Sequence, residues 1–306
     1  MSTKIEWTEE TWNPVVGCRK VSDGCQHCYA ETMARRLAGV SRAKRERGED
    51  PGGFAPYEQV IGDDGKWTGH AVTVPERLYE PLSWRKPRRV FVCSMSDLFH
   101  EDVSFWYIVY VIDDIAARCP KHTFQVLTKR PHRMIKFFKW REEEVGYWDI
   151  PSNIELGVTA ENQQAADERI PLLLQCPATV RFVSCEPLLG PIDFDYDTDI
   201  CQCGDYVKNH GPGSSHTAVP MIDSYLHDGL DWVIVGGESG HGARPMDPDW
   251  ARSLRDQCQD AGVAFFFKQI GTAWAKLHGC RDSHGGDMSE WPEDLRVREY
   301  PEPRQC

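Results

Sequence analysis

The chain alternates between two patterns of apolar and polar positions. Short runs rich in Val, Ile and Phe recur at Arg89–Ser94, Thr123–Thr128, Asn153–Thr159, Thr179–Ser184, Asp231–Gly236 and Val263–Lys268. Most are near-continuous rather than alternating, the pattern of strands buried on both faces of a parallel sheet. Their starts lie 34, 30, 26, 52 and 32 residues apart, and about 30 residues is one βαβ unit. Helical patterns fill the gaps at Ser104–Arg118, Pro131–Trp140, Asn162–Ile170 and Asp247–Ala261. Three of these open on helix-start chemistry: Pro131 at a first helical position, Asn162 as N-cap, and Asp247 as N-cap before Pro248. Gly262 stands where the last should end. Strands alternating with helices predict an α/β fold built on a parallel sheet.

The rhythm breaks in three places. The 52-residue gap holds an insertion, residues 193–229, between the fourth and fifth predicted strands. Residues 41–70 are polar and Gly-rich and read as a long loop, and residues 281–306 read as an irregular tail. The rest, residues 1–280, reads as one domain.

The predicted strands end on polar residues. These ends are Ser94-Met-Ser-Asp97, Thr128-Lys129-Arg130, Thr159-Ala-Glu161-Asn162, Ser184-Cys185-Glu186-Pro187, Gly236-Gly237-Glu238-Ser239 and Lys268-Gln269. In βα barrels the C-terminal ends of the strands carry the active site, so six charged ends in succession predict a shared polar pocket. Each end taken alone is also explained by helix capping and loop polarity.

Composition narrows the class. Of 306 residues, 41% are hydrophobic and 27% charged, as in a folded globular chain. The longest apolar run, Phe105–Ile112, is far short of the roughly 18 residues of a membrane helix. The first ten residues contain no apolar signal core, which predicts a cytoplasmic, reducing compartment and no membrane partner. Twelve cysteines are too few for a disulfide scaffold of this length, so clustered ones are expected to bind metal or do chemistry. The net charge of −12 argues against tight non-specific binding to duplex nucleic acid. The charge is uneven. Residues 1–150 carry 23 Lys and Arg against 22 Asp and Glu, and residues 151–306 carry 12 against 25. Three basic clusters lie in the first half, at residues 35–47, 85–89 and 129–141. They are either solvated helix ends or a local basic face.

The sharpest local signal is Trp12-Asn13-Pro14-Val-Val-Gly17-Cys18-Arg-Lys-Val-Ser22-Asp-Gly24-Cys25-Gln-His27-Cys28-Tyr29. Cys18, Cys25 and Cys28 fall on a loop before a helix whose Ala30, Met33, Ala34, Leu37 and Ala38 share one face, with Gly39 offering a C-cap. Three thiolates make an incomplete shell. An iron–sulfur cluster usually takes four cysteines, so three leave one iron open for a ligand that comes and goes. Two other readings stand beside this one: a structural zinc site completed by His27 or a distant cysteine, and buried free cysteines. In the insertion, Cys201 and Cys203 with His210 and His216 form a candidate zinc site, although Cys-x-Cys departs from the usual spacing; the alternative is a substrate lid with incidental cysteines.

Several motifs together resemble a phage and bacterial protein family named for phage gene products, whose activity is unsettled. They are the Asn-Pro-x-x-Gly-Cys…Gly-Cys-x-x-Cys-Tyr-Ala opening, Asp-Leu-Phe, Leu-Thr-Lys-Arg, Gly-Val-Thr-Ala-Glu, Val-Ser-Cys-Glu-Pro-Leu and Gly-Gly-Glu-Ser-Gly, spanning Ile5 to Gly271. That family is similar in turn to radical S-adenosylmethionine enzymes. The resemblance implies a partial (β/α)6-type barrel with an N-terminal cysteine loop. It also implies a [4Fe–4S] cluster on Cys18, Cys25 and Cys28, with Tyr29 and His27 beside it, and S-adenosyl-L-methionine on the open iron. Reductive cleavage would then give a 5′-deoxyadenosyl radical that abstracts hydrogen from substrate, with an external electron donor. Such cofactors carry the hard chemistry while the protein orients and shields it. Two features depart from the superfamily's pattern. The first cysteine gap is six rather than three. The Gly236-Gly237-Glu238 motif also comes late, where the superfamily carries it on the strand after the cysteine loop. Ser94, Ser96 and Asp97 stand in that earlier place and become the candidates for the methionine end.

The remaining strand-end residues take roles by their chemistry. Lys129 and Arg130 suit a carboxylate or phosphate. Glu161, Glu186 and Glu238 suit ribose hydroxyls or a cationic group, and Gly236 and Gly237 suit the cofactor or a tight turn. Lys268, after four apolar residues, is expected in a cavity, able to pair a carboxylate or give a proton. Lys129, Glu186 and Lys268 are the catalytic candidates. Arg244 is a weaker candidate, and Cys185 is either a hydrogen-atom donor or inert packing. The phage resemblance and the basic first half point to a nucleotide or nucleic acid as substrate, in modification or repair, with a small metabolite or peptide as the alternative. The competing reading is a non-catalytic, zinc-stabilised nucleic-acid-binding protein, supported by the basic clusters and eleven tryptophans. A phosphate-handling α/β enzyme would need a G-x-x-x-x-G-K-[ST] loop, and the sequence has none.

Overall fold

A computed structural model describes residues 5–201 and 218–302. In chain order the elements are β1 (Glu10–Trp12), β2 (Val15–Val16), α1 (Tyr29–Glu46), α2 (Pro56–Val60), β3 (Val72–Thr73), α3 (Pro75–Leu78), β4 (Arg89–Val92), α4 (Phe105–Val109), β5 (Thr123–Thr128), α5 (Pro131–Val145), β6 (Ile154–Thr159), α6 (Gln163–Leu174), β7 (Val180–Cys185), β8 (Asp195–Cys201), β9 (Ala218–Ser224), β10 (Trp232–Gly236), α7 (Pro248–Ala261), β11 (Ala264–Gln269) and α8 (Thr272–Leu277). Seven strands form one sheet in the order β1-β4-β5-β6-β7-β10-β11. Every pairing in it is parallel. The sheet curls into a half-barrel surrounded by helices.

The six predicted runs are β4, β5, β6, β7, β10 and β11, each within a residue or two of its expected bounds. They are legible because the sheet buries both faces; all five residues of β10 are buried. Local chemistry also sets the helix ends. Asn162 Oδ1 accepts from Ala165 N at 3.0 Å and Asp247 Oδ1 from Asp249 N at 2.9 Å. Gly146 and Gly262 end α5 and α7 in the left-handed conformation.

Four expectations change. First, β1 is a seventh strand, three residues long, too short to show a period. Second, Gly39 does not end α1. The helix runs to Glu46 because Ala34, Ala38 and Ser41 are buried, the two alanines in a cluster with Tyr57 and Val60 of α2, and this packing outweighs the roughly 1 kcal/mol cost of a helical glycine. The expected loop at 41–70 therefore holds the end of α1, all of α2 and an Ile61–Trp67 bridge. Third, the helix expected at Ser104–Arg118 is α4 followed by wider π-helical turns at Tyr110–Ala116. Fourth, the tail packs onto the sheet. Phe267 N donates to Val297 O and Glu299 N to Phe265 O, both at 2.9 Å, which covers the outer edge of β11. The insertion between β7 and β10 contributes β8 and β9, an antiparallel ribbon.

Inside the curl, Trp7 packs on Phe91, Phe182 and Trp232, with ring centroids 4.8, 6.1 and 6.2 Å away. Phe182 reaches this place because β6 carries Gly157 opposite it. A Cβ there would sit 2.5 Å from the Phe182 ring.

Candidate functional site

The polar strand ends and the cysteine loop open onto one cavity of about 580 Å³. Cys18, Cys25, Cys28, Ser94, Ser96, Asp97, Lys129, Arg130, Glu186, Gly237, Glu238 and Lys268 all line it. Glu161 and Gly236 do not. Burial explains the first: Glu161 is buried behind the cysteine loop.

The loop leaves β1 directly and is tied down at each step. Asn13 Oδ1 accepts from Ser94 Oγ at 3.1 Å and Met95 N at 2.9 Å. Gly17 N donates to Met95 O, and Ser96 Oγ donates to Gly17 O at 2.6 Å. Gly17 has φ +91°, and a Cβ there would meet His70 O at 2.4 Å, so only glycine fits the turn that delivers Cys18. Cys25 lies on a short 3-10 turn and Cys28 is the N-cap of α1. All three thiols are free and partly exposed. Tyr29 OH donates to Ser94 O at 2.7 Å while its ring stays half-exposed on the cavity.

Three candidates for cofactor contact also brace this loop. Arg130 is buried and bonded to Asp97 at 3.1 Å, Glu101 at 3.2 Å and Arg19 O at 3.1 Å, with its Nη1 3.8 Å from Cys18 Sγ. Glu161 pairs with Arg169 at 2.8 Å and accepts from Gly24 N at 3.4 Å. Burial opposes its ionisation, but Arg169 and Ser22 hold its carboxyl below the usual range. Glu238 accepts from His27 Nδ1 at 2.9 Å, Arg244 N at 2.8 Å and the Arg244 guanidinium at 2.5 and 3.0 Å. Burial alone would raise the Glu238 carboxyl; the Arg244 side chain and amide, then His27, bring it down to about 2. Arg244 also reaches Asp23 O at 3.0 Å and Gln26 Oε1 at 3.3 Å.

Asp97 is a hub. It accepts from Thr128 Oγ1, Phe99 N, Lys129 N and Arg130, all at 2.8–3.1 Å. Burial and then Asp97 push the Cys18 thiol up to about 12, against the pull of Arg130.

The far side of the cavity is less committed. Lys268 Nζ donates to Glu186 Oε1 at 2.5 Å, and Gln269 Nε2 donates to the same oxygen at 2.9 Å. Lys129 Nζ donates to Thr159 Oγ1 at 3.2 Å. Cys185 is fully buried in the main core, which makes it packing. Cys203, His210 and His216 lie outside the described residues, as does the side chain of Cys201.

A family model described as "Protein of unknown function (DUF5131)" matches residues 2–292. The chain belongs to this family. Neither the curated proteins nor the solved structures contain a match.

Among the lining residues that the sequence reading did not single out are Glu6 and Trp7. They precede β1 and carry no motif or period; the only signal was a tryptophan in a polar N-terminal stretch. The basic clusters are partly neutralised within the chain. Arg45 pairs with Glu58, Arg47 with Glu49, Arg88 with Glu10 and Arg141 with Asp113. Arg133 donates to the carbonyls of His100 and Val103. No helix among the described residues is long and apolar enough to cross a membrane.

Proposed function

We propose that this chain is an iron–sulfur enzyme of the radical S-adenosylmethionine type. The observation that carries the reading is the position of Cys18, Cys25 and Cys28. Three free thiols leave the first strand of a parallel half-barrel and face a cavity ringed by polar strand ends. The donor set fits the group. Three cysteine thiolates are the donor type such a cluster takes, and three of them leave one iron open. Bound there with S-adenosyl-L-methionine, such a cluster supplies reductive cleavage to a 5′-deoxyadenosyl radical, given an external electron donor.

The chain's own residues do the rest. Asp97–Arg130, Glu161–Arg169 and Glu238–Arg244 fix the cysteine loop from three sides, so Ser22–Cys28 is held before any ligand arrives. Lys129 offers a cation at the mouth of β5 for a carboxylate or phosphate. Glu186 and Lys268 form an ion pair on the opposite wall, able to hold or move a proton at Glu186 Oε2 or Lys268 Nζ. Phe91, Leu127 and Met33 give the same space apolar walls.

The test is anaerobic reconstitution with iron and sulfide, followed by electron paramagnetic resonance of the reduced protein. A [4Fe–4S] signal that shifts on adding S-adenosyl-L-methionine and is lost in Cys28→Ala is expected. One bound zinc per chain and no cluster would overturn the reading in favour of a zinc-stabilised binding protein.

A further inference from the structure

The cavity has a second set of polar groups that the cysteine loop does not use. Trp7 packs on Trp232, the first residue of β10, so it lies deeper in the curl than the strand ends. It is 2% exposed, and its Nε1 has no hydrogen-bond partner. The neighbouring Glu6 Oε2 is also buried and unpartnered. Both residues line the cavity with Glu186, Lys268 and Gln269. An unpaired buried donor or acceptor is costly to leave unmade, so one of each on residues that line a cavity points to a ligand that supplies both.

We propose that this end of the cavity recognises the lactam edge of a keto-type nucleobase, whose adjacent N–H and C=O meet the Glu6 carboxylate and the Trp7 N–H. Charge selects against the alternatives. A cationic ligand leaves the Trp7 N–H unpaired and faces Lys268. An anionic one faces Glu6 and Glu186. A neutral group carrying a donor and an acceptor satisfies both orphans. Lys268 donates to Glu186 Oε1 and its ammonium carries three protons, so Lys268 and Glu186 repeat the same donor–acceptor pairing in this cavity. Flat apolar surfaces favour a base over an isolated amide. Phe91 and Leu127 line the cavity with the half-exposed Tyr29 ring, and aromatic faces stack bases. Burial raises the Glu6 carboxyl, with Lys268 opposing; an N–H presented to it relieves that cost.

The inference deepens the enzymatic reading by naming the substrate class, and it rests on that reading for its purpose, but the binding itself needs no cluster. The full chain, without iron or S-adenosyl-L-methionine, is titrated calorimetrically with guanosine, thymidine, adenosine, cytidine and spermidine, and with single-stranded oligonucleotides rich in guanine, thymine or adenine. Guanosine or thymidine, or the oligonucleotide carrying that base, is expected to bind about tenfold tighter than its adenine counterpart, the discrimination of one unpaired buried group. The nucleoside and oligonucleotide arms tell a free substrate from a polymer. Glu6→Gln, which keeps the shape, and Trp7→Phe, which keeps an aromatic ring at the cost of some packing, should each erase most of that preference while far-ultraviolet circular dichroism stays that of the parent chain. Equal affinity for keto and amino bases, tightest binding of spermidine, no binding of any arm, or full preference in both variants would overturn the proposal. A failed cluster reconstitution beside an intact base preference would overturn the enzymatic reading alone.

Discussion

Glu238 gives the sharpest physical prediction, because its charge ties the loop after β10 to the cysteine loop. Glu238→Gln keeps the shape and removes the charge that Arg244 and His27 share. The carboxyl falls from its ordinary 4.5 to about 2 in the folded chain, which corresponds to roughly 3 kcal/mol at about 1.4 kcal/mol per unit. Arg244 and His27 are 27% and 29% exposed, and water beside them screens the pair, so about 1–2 kcal/mol is the expected loss at pH 7. The folded value lies below the unfolded one. The contribution is therefore complete above about pH 4.5 and is lost as the pH falls toward 2. The assay is urea denaturation of both proteins at pH 7 and pH 3, compared as a difference so that other carboxylates cancel. More than half of the difference should be gone at pH 3. An equal difference at both values, or none at pH 7, would refute the reasoning.

Gly157→Ala places a Cβ 2.5 Å from the Phe182 ring and should cost about 1–3 kcal/mol in urea, with Phe182→Leu in the same chain recovering part. Arg141 is 1% exposed and makes two bonds to Asp113 at 2.7 and 2.8 Å and others to the carbonyls of Trp148 and Asp149. Arg141→Ala should therefore cost about 3–5 kcal/mol and lower the midpoint more than any exposed arginine substitution does. Gly17→Ala should leave far-ultraviolet circular dichroism intact and lower the iron bound after reconstitution, because His70 O occupies the space of the new Cβ; undiminished iron would show that the turn does not deliver Cys18.

The main-sheet strands, except β1, and the helices packed on them were legible in the sequence for a local reason. A strand buried on both faces must be apolar throughout, and Asn162, Asp247 and Gly262 act on backbone groups within a few residues of themselves. The cysteine loop was legible for the same reason, since its three cysteines lie within one short segment. Tertiary structure decided which polar strand ends face the cavity freely and which brace the loop. Arg130 meets Cys18 across 112 positions, Glu161 meets Gly24 across 137 and Glu238 meets His27 across 211. Sheet order sets those pairings: a carboxylate at a strand end looks the same in sequence whether its partner is a ligand or a distant arginine. Glu6 and Trp7 make the same point from the other side. Their hydrogen-bonding groups are orphaned only because the curl of the sheet buries them, and burial turns an ordinary carboxylate and an ordinary indole into groups that require a partner.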